Sequence, residues 1–339
     1  MMASGERQDG AGTEIVPATS QPGSPSKGLL WYAGIAVSVA IMARYPMLGV
    51  MCLAMGLRTQ AERFDAKGLS IGAGIACGVL AAWGVAFGFE SMLYAVAPVG
   101  ICIAVSALMW KRRASVLAIS LVVVASAAFS MVVDAVALAG MGMGLEEAML
   151  SMLEEAARAY VGRGVEAELA LATAMPVFES IWPFVYVASS LLNVAFAGFG
   201  SLLGGVPQVR PGSRMSYADA QAHVPQISSF DAPLWAVGLV ALAVLGIAAS
   251  TLSIPEAELV RTASWTLLLS VRFIFTVQGL GVLMGMLNRW RLGCFTRVVV
   301  IMIAVSLETM FVLSIIGLVD VWANFRKLSR DGARAEAHR

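Results

Sequence analysis

The sequence predicts an all-α fold: a polytopic transmembrane helical bundle of about eight to nine spans, with a disordered N-terminal tail and an extramembrane amphipathic helix. Three observations carry this expectation. The 339-residue chain is 59% hydrophobic and 13% charged, with a mean hydropathy of +0.80, far outside the range of soluble globular proteins. Its apolar residues fall into long runs, and Val260 to Met286 and Arg297 to Val319 each reach the ~20 residues that cross ~30 Å of hydrocarbon at helical rise. Basic residues gather in the connections: Arg58, Arg63 and Lys67, then Lys111, Arg112 and Arg113, then Arg210 and Arg214, then Arg289 and Arg291. All of these fall on one side of a nine-segment alternation, which the Lys/Arg bias makes the cytoplasmic side.

Composition also excludes function classes. A net charge of +1 offers no basic balance for nucleic acid. The cysteines Cys52, Cys77, Cys102 and Cys294 stand singly in apolar segments, and the only histidines, His223 and His338, lie in a loop and in the tail. Neither a zinc site nor a Ser-His triad can be assembled from these within a membrane. No cofactor is expected, and no enzymatic activity. A carboxylate pair of Asp134 and Glu179 has no Gly-x-Gly-Asp or Ser/Lys-type context around it.

Taken in order, residues 1–27 are rich in Gly, Ser, Pro, Thr and Gln and are expected to be disordered, with no cleavable signal peptide visible. The N-terminal membrane bundle, 28–140, opens with Gly28 to Met42 and Met47 to Leu57, parted at Tyr45-Pro46. These read as two short spans or one broken helix. A charged loop from Arg58 to Lys67 precedes the spans Gly68 to Phe89 and Ser91 to Trp110. The first contains Gly74-Ile75-Ala76-Cys77-Gly78, a small-xxx-small pattern of the kind that lets helices approach closely. Beyond Lys111-Arg112-Arg113 comes Ala114 to Ala139, with Asp134 near its far end.

The alternating glycines from Gly140 to Gly144 are a hinge and not a phosphate loop, since no strand precedes them and no Lys-Ser/Thr follows. Residues 141–170 form an extracytoplasmic element. Leu145 to Val161 has apolar residues at helical spacing with Glu146, Glu147, Glu154 and Glu155 between them. That charge is the wrong sign for the anionic cytoplasmic leaflet. The C-terminal membrane bundle, 171–327, holds the span Pro176 to Leu203 with Glu179 and Asn193, a polar cytoplasmic loop from Gly204 to Pro233, the span Leu234 to Ala249, and the two long runs already named. Residues 328–339 are a basic tail.

The last two runs read as an antiparallel transmembrane hairpin around the basic turn Asn288 to Gly293. Arg272 and Glu308 lie near the middle of their spans, so the hairpin brings them to similar depth. On a helix, Arg261, Trp265, Arg272, Thr276 and Gly279 fall within a sector of about 60°. A central arginine costs ~2.5–3.5 kcal/mol on insertion scales, so it needs a partner and protein or water-filled surroundings. Its pairing with Glu308 is either a structural bridge or part of a ligand-contacting or gating site. One conflict follows from the hairpin. Alternation puts the tail residues Arg326, Lys327, Arg330, Arg334 and Arg339 outside the cell, against the bias that orients every other connection.

Three further stretches carry a resemblance: Phe230-Asp231-Ala232-Pro233-Leu234-Trp235, Val277-Gln278-Gly279-Leu280, and Gly317-Leu318-Val319-Asp320 with Phe325-Arg326-Lys327. With the Tyr45-Pro46 break and a Gly-rich third span, they resemble the bacterial multi-pass membrane family typified by YybS, over Gly28 to about Lys327. Gly279, Asp320 and Arg326 are the motif residues that the resemblance marks. That family is remotely similar to the substrate-binding S components of energy-coupling-factor transporters. The resemblance implies a bundle with a ligand pocket opening outward, and names no substrate.

Two function classes remain. The first is a small-molecule-binding or transport component, using the intramembrane polar residues Arg272, Glu308, Gln278, Asp134, Glu179 and Asn193. No ATP-binding motif is present, so energy would come from membrane or ATPase partner subunits or from an ion gradient. The second is a non-transporting scaffold for cell-envelope or division machinery, in which the same residues hold helices together. In either class the expected surroundings are the lipid bilayer of the bacterial cytoplasmic (inner) membrane. Glu90, Asp134, Glu179, Glu256 and Glu258 project to the outer end, where convergence of Asp134 and Glu179 would form an electronegative vestibule for a cationic or zwitterionic solute.

Overall fold

A computed structural model of the chain describes residues 25–161, 165–205, 230–252, 255–290 and 293–326. The expected disordered tail, apart from its last residues, lies outside the described residues, as do most of the polar loop after Gly204 and the basic tail. Among the described residues every regular element is helical: α1 Pro25–Met42, α2 Pro46–Phe87, α3 Phe89–Trp110, α4 Val116–Gly140, α5 Leu145–Val161, α6 Val165–Ile181, α7 Phe184–Gly205, α8 Leu234–Ala249, α9 Ala257–Arg289, α10 Cys294–Ser306 and α11 Val312–Ala323. Five of them, α2, α3, α4, α7 and α9, are long and apolar enough to cross a membrane.

The α2 element is two antiparallel limbs. Phe64 (φ −130°) and Asp65 (φ 55°, ψ −146°) leave helical geometry. In one straight helix Leu57 and Gly72 would stand about 22 Å apart. Instead a Cβ on Gly72 would lie 3.0 Å from Leu57 Cδ2, and one on Gly68 would meet the Gln60 carbonyl. The chain therefore reverses in two residues, where the sequence suggested a loop from Arg58 to Lys67. Gly68, Gly72 and Ala76 are the buried small residues of the second limb, whereas Gly74 and Gly78 are exposed and touch nothing. Close packing does occur, but two positions out of register with the expected pattern, because limb reversal fixes which face turns inward.

Around the first limb, α3 and α7 run parallel to it. Cys102 Sγ and Ser106 Oγ donate to the carbonyls of Val50 and Ala54 at 3.4 and 3.2 Å. Gly200 and Gly204 press on the carbonyls of Met51 and Met55. Leu53, Leu57, Ile35, Ile101 and Val105 fill the core between them. Since α4 runs the other way against α7, Arg58, Arg63 and Lys111 to Arg113 collect at one end of the bundle, and Gly88, Glu90 and Gly140 at the other. The expected single span Pro176 to Leu203 is interrupted: α6 ends at Ile181 and α7 begins at Phe184, with Pro183 at the junction.

The C-terminal half departs most from expectation. Contacts between α9 and α11 advance together along both chains: Arg272 with Ser314 at 3.4 Å, Phe275 with Gly317 at the crossing, Gln278 with Asp320 at 2.9 Å, and Gly285 with Arg326. So α11 runs parallel to α9. The run Arg297 to Val319 is not one membrane-crossing helix. It is a re-entrant pair in which α10 returns from the Arg289 end to the level of Arg272, the chain turns through a 3-10 segment Leu307–Met310 and Phe311, and α11 descends again. Each limb, of 13 or 12 residues, spans only about 20 Å. Arg326 therefore finishes beside Arg289, whose guanidinium reaches its carbonyl at 3.5 Å.

Candidate functional site

The turn of the re-entrant pair is built around Glu308. Nothing in Ser306-Leu307-Glu308-Thr309-Met310-Phe311 breaks a helix by type, since the segment has neither Gly nor Pro. The break comes from competition for hydrogen bonds. Glu308 Oε2 accepts from the Ser314 amide at 3.2 Å, capping the open N-terminus of α11. Its carbonyl accepts from the Phe311 amide at 2.9 Å and from Arg272 Nη2. Phe311 takes up the left-handed conformation (φ 63°), which costs a non-glycine residue about 1–2 kcal/mol. The polar contacts of the turn offset that cost.

Arg272 meets Glu308 as expected, Nε to Oε1 at 3.0 Å, with side-chain exposures of 20% and 15%. Thr276 Oγ1 donates to the same carboxylate oxygen at 2.9 Å, and Ser314 Oγ also donates to it. The guanidinium carbon stands 3.8 Å from the Phe311 ring centroid, a cation–π contact that covers the charge from the apolar side. The reason for the meeting differs from expectation. The two residues face each other because Glu308 tips a re-entrant turn, not because two full spans cross at equal depth.

About two turns along α9, a second network gathers all three resemblance-bearing stretches. Gln278, fully buried, accepts from the Ala232 amide at 2.8 Å and donates to Asp231 at 3.4 Å and Asp320 at 2.9 Å. Asp320, also fully buried, accepts from the Phe325 amide at 2.8 Å and from Arg326 Nη2 and Nε at 2.8 and 3.2 Å. The Arg326 side chain is 5% exposed. Asn324 makes this possible: at φ 46° it ends α11 and folds Phe325 and Arg326 back onto Asp320. Gly279 and Gly317 let the two backbones touch between the networks.

The other anticipated residues lie elsewhere. Asp134 on α4 accepts a 2.7 Å hydrogen bond from Tyr186 of α7, and the Tyr94 hydroxyl also faces it. Glu179 is exposed on α6, which packs mainly on α5 and α9. Asp134 and Glu179 thus belong to different sets of packed helices, α4 with α7 and α6 with α5 and α9. Asn193 is half-buried on α7, and Glu258 pairs loosely with Arg261 at 3.6 Å. Among the described residues, no group of three metal-ligating side chains occurs. Ser314, Phe311, Tyr94 and Tyr186 were not anticipated, because their roles depend on a turn and on helix neighbours that spacing does not encode.

No protein-family model matches the chain, and no curated protein or solved structure matches it.

Proposed function

We propose that the protein is an integral component of a bacterial cytoplasmic membrane that binds or transports a small molecule, with the re-entrant turn at Glu308 as its central element. The observation that carries this reading is non-helical backbone, with a carboxylate and an arginine, at the depth of the middle of α9. Irregular backbone at membrane depth is tolerated where it is buried in protein or lines a water-filled cavity, and discontinuous helices of this kind build the midplane sites of transporters. In this topology α1, the two limbs of α2, α3, α4, α7, α8 and α9 make eight crossings, and the re-entrant pair adds none. Arg326, beside Arg289, then lies on the cytoplasmic side with Arg58, Arg63 and Lys111 to Arg113, and the acidic α5 lies outside.

The YybS-like stretches and their remote likeness to S components support the same reading, in which partner subunits supply the energy. A scaffold role has one observation in its favour: Glu308 is already saturated by Arg272, Thr276 and Ser314. Native mass spectrometry of the protein purified from its own membranes separates the two. A retained small molecule, lost on Thr276→Val, is the expected result. Stoichiometric protein partners with no small molecule would favour the scaffold.

A further inference from the structure

We propose that α10 is a gate, hinged at Phe311 and latched by Glu308. The inference rests on the transport reading for its purpose but on packing for its content. The two limbs of the re-entrant pair are held very differently. α11 is fixed to α9 at three levels: by Ser314 against Thr276, by the Gly279–Gly317 crossing, and by the Asp320 network with Gln278 and Arg326. It buries Leu313, Ser314, Gly317, Asp320 and Val321. α10 buries no residue from Phe295 to Ser306. Phe295 is 82% exposed and Met302 65%.

A limb packed this lightly, with only Arg297, Val300, Ile301 and Ala304 half-buried, is free to move unless its end is tied. Its carboxyl end is tied at Glu308, three residues before the left-handed Phe311, through Arg272 and Thr276 on α9 and Ser314 on α11. Those contacts cross the hinge and join the moving limb to the fixed one. Hinges of this type confine a large backbone change to a few residues while the flanking elements stay rigid. Releasing Glu308 frees α10 and leaves α11 in place. A ligand competing for Arg272 would do the same.

Double electron–electron resonance on the full-length protein in lipid nanodiscs tests this, with Cys52, Cys77, Cys102 and Cys294 replaced by alanine. One nitroxide pair, at Met302→Cys and Trp322→Cys, reports α10 against α11. A second, at Phe273→Cys and Trp322→Cys, reports α9 against α11. In the parent both pairs should give one narrow distance. Glu308→Gln should add a second population in the first pair only. Met302 lies about 13 Å along the chain axis from the hinge, so a swing of roughly 30° moves it by about 7 Å. Ser314→Ala, a milder loss, should add a smaller share of the same population and guards against misfolding of Glu308→Gln. An unchanged first pair in both variants would overturn the gate, as would broadening of both pairs together. A gate that moves while no small molecule is retained would instead count against the transport reading.

Discussion

Arg272 and Glu308 are each costly alone at their depth, and each is tolerable because the other is present. Arg272→Ala and Glu308→Ala are expected to destabilise by on the order of 2–4 kcal/mol each, with the double substitution falling short of the sum by about 1–3 kcal/mol. Melting temperatures in detergent or nanodiscs report this. Strictly additive losses would mean that the two side chains act separately. Asp320 presents the sharper case, since Arg326 beside it is more deeply buried than Arg272. Asp320→Ala removes the buried carboxylate that accepts two hydrogen bonds from that guanidinium and should cost about 3–5 kcal/mol, whereas Asp320→Asn, which keeps the acceptor and the shape, should cost clearly less. Equal losses from the two would show that burial of Arg326 does not depend on the charge.

At the scale of elements, glycine position separates packing from permissiveness. Gly279 and Gly317 sit where a Cβ would strike the opposing backbone, so each changed to alanine should cost about 1–3 kcal/mol by forcing α9 and α11 apart. Gly74→Ala and Gly78→Ala have open space and should stay within about 0.5 kcal/mol. A large loss at Gly74 or Gly78 would indicate that a further element covers that face. The four positions look alike in sequence, each a small residue in an apolar run. What distinguishes them is which face of the helix the fold turns toward a neighbour.

For the whole molecule, the parallel course of α9 and α11 decides the side on which Arg326 lies. Cysteines placed at Trp290 and Phe325, in a background lacking the native four, should both resist a membrane-impermeant thiol reagent added outside intact cells, while one at Met141 should react. Opposite behaviour of Trp290 and Phe325 would rule out the re-entrant pair, because α10 and α11 together would then cross the membrane. Reaction of both, with Met141 protected, would invert the entire orientation.

Much of this architecture is legible from sequence because its causes are local. Proline at 46 and the spacing of apolar residues in Leu145–Val161 act within a turn or two of the chain, and the helices begin and end close to them. Lys/Arg bias sorts the connections between two ends before any contact is known. The cost of a lone charge in hydrocarbon likewise demands a partner for Arg272, and Glu308 is the acid at hand. Direction and register are different. Whether Arg297 to Val319 crosses or returns turns on Glu308 trading its place in a continuous helix for hydrogen bonds to Arg272, Thr276 and Ser314, which lie 32 to 36 residues back or six residues ahead, beyond the break. Hydropathy is the same for both outcomes. Only the tertiary contacts set them apart, and they place Arg326 beside Arg289, where strict alternation of spans had set it at the opposite end.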